Sequence, residues 1–181
     1  MNAFETMGIE ARLVIADESL RDAFREAGRL AHPDGGGGEG EFARLRQAFD
    51  ILASPSQRLR HWLELRGITA SIRGTVAASL MDLFAEIGGV SQQAEALIRR
   101  REQAMSALAR ALLETETQAC REAVERALRQ VNAAIERECA AFSDYEEAAQ
   151  PDAEAVSTNA RNLAFLEKWR AGLRGLFARM V

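Results

Sequence analysis

The sequence is poor in the residues on which disulfide-rich and metal-binding proteins depend. Its 181 residues include two cysteines, two histidines and three prolines. Cys120 and Cys139 stand in a segment predicted to be helical, where a rise of about 1.5 Å per residue puts them roughly 30 Å apart, far beyond disulfide reach. Neither histidine lies within a few residues of a cysteine, so no metal site is indicated. We therefore expect two free thiols and no metal or other cofactor.

An excess of one charge and a long apolar run are also missing. The net charge is −4: residues 1–67 hold nine basic and eleven acidic residues, and the remainder holds fourteen and sixteen. Neither part provides the basic surface that nucleic acid requires. No run approaches the roughly 20 apolar residues of a membrane span, and the N-terminus is acidic where a signal peptide needs positive charge. These features predict a cytoplasmic protein without a nucleic-acid or membrane partner.

What the sequence does contain favours α-helix. Hydrophobic residues make up 48% of the chain, and the abundant alanine, leucine, arginine and glutamate are good helix formers. Apolar residues recur at helical spacing from Leu20 to Ala31 and from Phe42 to Leu52. Ser54 and Pro55 then form the start of a third helix, with serine as the cap and proline at the first position. No segment has a strand pattern, so the predicted fold class is all-α.

A change in composition predicts two domains. The stretch GITASIRGTV at residues 67–76 contains two glycines and several β-branched residues, which interrupt the helical pattern. We therefore predict one domain over residues 1–67, a linker over 68–75 and a helical bundle over 76–181.

Within the bundle, the helix boundaries are less clear from sequence. Gly88 and Gly89 are expected to interrupt a helix, and Ser91 can cap the next one. The apolar stripes between residues 91 and 142 fit either one helix of about 50 residues or a hairpin that turns at residues 113–118.

Three stretches of the first domain resemble the J-domain family. They are NAFETMGI at residues 2–9, LRDAFREAGRLAHPD at 20–34 and FARLRQAFDILASPSQR at 42–58. Together they match a short first helix and two further helices joined by a loop that carries His-Pro-Asp. The resemblance implies a helical hairpin with short flanking helices.

The J-domain resemblance also implies a partner. In that family the aspartate of His-Pro-Asp engages an arginine of a DnaK-class chaperone and couples docking to ATP hydrolysis. His32, Pro33 and Asp34 would take these roles. A departure is that Gly35–Gly38 follow the aspartate, where J-domains commonly have lysine or arginine.

Three arginines of the predicted second helix have i, i+4 and i+8 spacing and so share one face. These residues are Arg21, Arg25 and Arg29. In J-domains this face meets an acidic patch on the chaperone. The alternative is an ordinary solvated face on which neighbouring acidic residues, Asp17, Glu18 and Asp22, balance the arginines.

From residue 55 onward the chain is similar to HscB, the J-domain co-chaperone of iron–sulphur cluster assembly. The stretches PSQRLRHWLELRG at residues 55–67, SLMDLF at 79–84 and NLAFLEKW at 162–169 carry this similarity. It implies a C-terminal three-helix bundle that binds the scaffold protein IscU. The family's apolar scaffold contacts would fall on Leu80, Met81, Phe84 and Phe165. The alternative is that the apolar residues at 80–84 are buried core.

These resemblances favour a co-chaperone that stimulates the ATPase of a DnaK- or HscA-class chaperone and delivers an IscU-type scaffold. An adaptor for other clients, or a helical protein that forms a homodimer, is the alternative, since the stripes between residues 91 and 142 suit a coiled coil. An enzyme is not predicted. The run GGGGEG lacks the Lys-Ser/Thr of a phosphate-binding loop, and no nucleophile elbow or acid pair is present.

Overall fold

The structure is a computed structural model that describes residues 1–31, 40–68 and 74–181. All regular secondary structure in these ranges is helical, as the composition predicts. None of the helices in the described ranges has the length and apolar character needed to cross a membrane. The elements in chain order are α1 (Ala3–Thr6), α2 (Asp17–Ala31), α3 (Glu41–Ala53), α4 (Pro55–Leu65), a 3-10 turn (Ala78–Leu80), α5 (Met81–Gln103), α6 (Ala107–Leu112), α7 (Glu114–Cys139), α8 (Phe142–Glu147) and α9 (Ala153–Met180).

The chain forms two compact units. The first comprises Met1–Gly74 and Cys139–Ala164, and the second comprises Thr75–Glu138 and Phe165–Val181. Residues 139–164, which the sequence analysis assigns to the C-terminal bundle, therefore belong with the N-terminal segment. Most of the expected linker, residues 69–73, lies outside the described residues, so the domain boundary remains a prediction.

In the first unit, α3 is the central helix. It packs against α1, α2 and α4, and the residues on its inner face, Leu45, Ala48 and Leu52, are buried. Of the apolar residues whose spacing predicts this face, Leu45 and Leu52 are buried, Phe49 is half-buried and Phe42 is 51% exposed. Ser54 caps α4 as predicted, because its hydroxyl oxygen accepts a hydrogen bond from the backbone N–H of Gln57 at 3.3 Å.

Within the first unit, residues 139–164 contact the N-terminal segment through residues that lie far apart in the sequence. The backbone N–H of Leu13 donates a hydrogen bond to a carboxylate oxygen of Glu146, and the N–H of Val14 lies 3.4 Å from the same oxygen. The guanidinium of Arg58 lies 5.8 Å from the centre of the Phe142 ring. The carboxylate of Glu146 thus provides an acceptor for backbone N–H groups of an irregular segment, which would otherwise need water.

In the second unit, α5 continues through Gly88 and Gly89, so the predicted interruption is wrong. Each glycine costs the helix about 1 kcal/mol relative to alanine but leaves the backbone hydrogen bonds in place. The buried residues on both sides, Ile87, Ala94 and Leu97, stabilise the helix through packing that local propensity does not include.

The region between residues 91 and 142 is not one helix. The chain leaves the helix at residues 104–106, where the Ser106 hydroxyl accepts a hydrogen bond from the N–H of Ala109 at 3.1 Å and caps α6. A second break falls at Leu113, the first residue of the predicted turn, and residues 114–118 are already helical and open α7.

Contacts at both ends show that α5 and the C-terminal part of α9 run in the same direction. Near the start of α5, the rings of Phe84 and Trp169 are 5.3 Å apart. Near its end, Glu102 pairs with Arg179 at 3.0 Å. The carbonyl oxygen of Met180 accepts hydrogen bonds from Arg101 of α5 and Arg121 of α7, at 3.0 and 2.9 Å. These cations interact favourably with the negative end of the α9 dipole.

The imidazole of His61 holds α1 in place. Its Nε2 accepts a hydrogen bond from the backbone N–H of Ala3 at 2.9 Å, and its ring stacks on Phe4 with a centroid distance of 5.7 Å. Its Nδ1 lies 3.7 Å from the carboxylate of Glu64. Because Ala3 and Phe4 are buried, the N–H of Ala3 has no ready replacement for this acceptor.

We therefore predict that His61→Phe destabilises the protein by about 1–3 kcal/mol, the cost of a buried donor without an acceptor, although the aromatic contact is kept. Urea denaturation followed by circular dichroism measures the change. Glu64→Gln is the control: the side chain of Glu64 is 75% exposed, so its loss is expected to cost less than about 0.5 kcal/mol. Equal effects of the two substitutions would contradict this role of His61.

Candidate functional site

The predicted chaperone-binding tripeptide, His32, Pro33 and Asp34, lies outside the described residues, and its role remains a prediction. The structure describes the two helices that it joins. α2 ends at Ala31 and α3 begins at Glu41. Gly40 precedes α3 with φ +101°, a conformation that favours glycine because it has no Cβ.

The three predicted arginines of α2 are all exposed, but acidic residues accompany them. Arg25 forms an ion pair with Asp22, and Arg29 pairs with Glu26 at 3.1 Å. Asp22 is one of the acidic residues named in the alternative of a solvated face, whereas Glu26 is not. Within the described residues, Arg21 has no ion-pair partner. Exposed pairs of this kind contribute at most about 1 kcal/mol, so a stronger acidic partner can displace either carboxylate.

The arginines have an aromatic neighbour that the sequence analysis did not identify. A depression of about 650 Å³ on the surface of α2 and α3 is lined by Arg21, Arg25, Phe24 and Phe49, with acidic residues at the start of α2. The rings of Phe24 and Phe49 are 4.7 Å apart, and both residues are half-buried. The face therefore combines cationic groups with apolar area rather than charge alone.

The predicted scaffold contacts are divided between core and surface. Leu80 is buried, with 5% of its surface exposed, whereas Met81 and Phe84 are about half exposed, at 51% and 50%. Phe165 is 39% exposed. Of the apolar residues at 80–84, Leu80 is thus part of the core and Met81 and Phe84 are on the surface, because these positions point in different directions around the helix axis.

The rings of Phe84, Phe165 and Trp169 form one apolar patch in the second unit. We call this patch, together with the exposed Met81 three residues before Phe84 on the same helix face, the aromatic surface. Trp169 lies at its centre, with ring centroids 5.3 Å from Phe84 and 6.3 Å from Phe165. Trp169 was not among the residues predicted to contact a scaffold. The sequence does contain a signal for this contact: Phe165 and Trp169 are four residues apart in a helix, which places both on one face.

A second apolar stripe is exposed around α6. Met105, Leu108 and Leu112 have 93%, 71% and 75% of their surface exposed. Leu97 and Ile98 of α5, which belong to the same apolar periodicity, are buried. The break at residues 104–106 separates the buried part of the stripe from the exposed part.

Both cysteines are free thiols and both are half-buried. Burial raises the pKa of the Cys120 thiol above its usual value, and the negative charge of Glu116 raises it further. Among the residues that the structure describes, no group of histidine, cysteine and acidic side chains could hold a metal ion.

Comparison with known proteins relates the chain to a J-domain protein. No family model matches it. The tetratricopeptide repeat and J domain-containing co-chaperone DNJ1 of Cryptococcus neoformans var. grubii is 45% identical over 47 residues, which are 25% of this chain and 9% of that relative. The chain thus matches only about a tenth of the relative's length. This similarity supports the J-domain resemblance, but it does not bear on the resemblance to HscB.

The raised pKa of Cys120 predicts slow alkylation. In a Cys139→Ser variant, the rate of reaction with iodoacetamide should rise with pH along a profile displaced to higher pH than that of the urea-unfolded chain, because the thiolate is the reacting form. Glu116→Gln should displace the profile back toward lower pH, since it removes the second cause of the shift. A folded-state profile at or below that of the unfolded chain would refute the prediction.

Proposed function

We propose that this protein is a co-chaperone that stimulates ATP hydrolysis by a DnaK- or HscA-class chaperone and presents an IscU-type scaffold protein to it. In this role it acts in the cytoplasm and has no active site of its own. The observation that supports the first part best is the 45% identity over 47 residues with a J domain-containing co-chaperone. The His-Pro-Asp tripeptide between α2 and α3 agrees with that similarity.

The chaperone contact is proposed to depend chiefly on Asp34. A short carboxylate next to proline can form a charge-assisted hydrogen bond with an arginine of the chaperone. The described helix α2 supplies Arg21, Arg25 and Arg29 but also four acidic residues, so its formal charge is −1. Because α2 is not basic overall, long-range electrostatic attraction to an acidic partner is weak, and close contacts must provide more of the affinity.

The scaffold contact is proposed to be the aromatic surface of the second unit. Exposed apolar clusters that include tryptophan and phenylalanine are typical of protein interfaces, where such side chains contribute most of the binding energy. Met81, Phe84 and Phe165 occupy the positions that the HscB resemblance assigns to the scaffold, and all three are exposed. Leu80 is buried and is proposed to support the surface from beneath rather than to touch the partner.

A second candidate function, that of a dimerising adaptor, rests on the apolar stripe of Met105, Leu108 and Leu112. These three large apolar side chains are at least 71% exposed, and packing against another helix would remove them from water. Sedimentation distinguishes the two functions: a stable dimer that does not bind the scaffold would favour the adaptor.

The proposed chaperone contact predicts that Asp34→Asn abolishes stimulation of the ATPase. The neutral amide loses the charge of the hydrogen bond, so single-turnover hydrolysis by the DnaK-class chaperone should fall to its basal rate. Far-UV circular dichroism and scaffold binding should be unchanged. Asp144→Asn, which removes an exposed carboxylate from α8, is the matched control and should stimulate like the wild type. Wild-type stimulation by Asp34→Asn would refute the proposal.

The proposed scaffold contact predicts that Phe165→Ala weakens binding of a purified IscU-type scaffold by about ten-fold or more, as for a central interface aromatic. Isothermal titration calorimetry measures the dissociation constant. Phe42→Ala removes a ring that is exposed to a similar degree, 51% against 39%, but lies in the first unit, so it should bind like the wild type. An equal loss in both variants would indicate a non-specific effect of lost apolar area and count against the assignment.

A further inference from the structure

The imidazole of His61 can hold α1 only while its Nε2 atom carries no proton. The backbone N–H of Ala3 donates a hydrogen bond to Nε2 at 2.9 Å, so the neutral ring has its proton on Nδ1. A proton on Nε2 would place two donors opposite each other at this distance. We propose that His61 is a pH-sensitive switch: it keeps α1 attached near neutral pH and releases α1 when the ring becomes an imidazolium. This inference does not depend on the function proposed above.

Burial prevents the imidazolium from keeping its place beside α1. The side chain of His61 is 11% exposed, and its ring stacks on Phe4 with an interplanar angle of 20°. Ala3 and Phe4 are 0% and 1% exposed, so water has little access to the N–H of Ala3. A buried donor without an acceptor is unfavourable, and protonation would create two of them. Protonation of the ring and attachment of α1 therefore oppose each other.

The charged groups near the ring do not remove this conflict. Glu64, on the same helix as His61, lies 3.7 Å from Nδ1 and favours a proton there, but its side chain is 75% exposed and its effect is weak. Arg58 lies one turn earlier on the same side of α4 and is buried, where its guanidinium donates to the carbonyl of Leu52 at 2.9 Å. This cation disfavours a second positive charge nearby. The one ionisable side chain of α1, Glu5, is exposed. The hydrogen bond, rather than a neighbouring charge, thus decides when α1 is released.

Release of α1 changes the core of the first unit. α1 has four residues, too few for a helix that is stable alone, so it depends on its contacts. Ala3, Phe4 and Met7 are buried, and α1 packs against α3, the central helix of this unit. When α1 leaves, Phe4 and Met7 enter water and α3 loses one of the three helices that cover its inner face. The switch therefore acts on the packing that also positions α2.

The direction of the pH effect follows from proton binding. A histidine that is free in solution takes up a proton near pH 6.5, whereas the ring beside α1 does not. The attached state thus binds fewer protons than the released state, and it loses stability as the pH falls. The stabilisation is present above about pH 6.5 and is lost progressively below it. For one such group, the ratio of released to attached α1 rises about ten-fold from pH 7.5 to pH 5.5.

The position of the ring proton tests the geometry. In a His32→Gln variant, His61 is the one remaining histidine of the chain. Long-range proton–nitrogen NMR of the labelled full chain at pH 7.5 should show a neutral ring that is protonated at Nδ1 and not at Nε2. A ring protonated at Nε2 at this pH would overturn the proposal, because it could not accept the hydrogen bond from Ala3.

Amide hydrogen exchange measures the release of α1. The reporter is the N–H of Met7, which donates to the carbonyl of Ala3 at 3.1 Å. After correction for the intrinsic exchange rate, its protection should fall about ten-fold from pH 7.5 to pH 5.5 in the wild type and in His32→Gln. His61→Gln keeps an acceptor oxygen but does not titrate, so its protection should change by less than about two-fold.

Glu64→Gln separates the hydrogen bond from the ion pair. This variant should keep the ten-fold response, since the carboxylate is not the acceptor for Ala3, and loss of the response would overturn the proposal in favour of the ion pair. An equal fall of protection in His61→Gln and the wild type would assign the response to another group and overturn it as well. If His61→Gln does not fold, the ring tautomer and the wild type still decide, because protection of Met7 that is the same at both pH values contradicts the switch.

Discussion

The first unit depends on the burial of one face of α3. Leu45, Ala48 and Leu52 are removed from water by α1, α2 and α4, each of which contacts α3. Burial of apolar area is the main favourable contribution to folding, and here one helix provides it for three neighbours. α2 depends on this contact most, because within it only Leu20 is fully buried. The position of α2, and with it the arginines before the His-Pro-Asp tripeptide, therefore follows from the packing of α3.

The acidic residues of α2 limit what its arginines can contribute to binding another protein. An arginine that already pairs with Asp22 or Glu26 must give up that partner before it meets another protein. Since exposed ion pairs are weak, this exchange costs little, but the helix as a whole does not attract an acidic surface from a distance. Specific contact at short range is thus a more suitable role for these residues than steering. The aromatic depression beside Arg21 and Arg25 adds apolar area to such a contact.

The second unit shows how the same sequence pattern can serve both core and surface. Leu80 and Ile87 are buried, while Met81 and Phe84, which lie between them, are exposed. The rings of Phe84, Phe165 and Trp169 shield one another, which lowers the cost of keeping so much apolar area in water. In contrast, Met105, Leu108 and Leu112 are exposed to a much greater extent. The two exposed apolar regions of this unit thus differ in how far their side chains are covered by one another and by the protein.

The sequence by itself determined the helical class, the Ser54-Pro55 helix start and the presence of the tripeptide, since these depend on residues within one or two helical turns. Only the tertiary structure decided that α5 continues through Gly88-Gly89, because distant packing compensates for weak local propensity. The same applies to the contact of Glu146 with Leu13 and to the separation of exposed Phe84 from buried Leu80. Apolar periodicity identifies residues that prefer to avoid water, but which of them succeed depends on neighbours that lie far away in the chain.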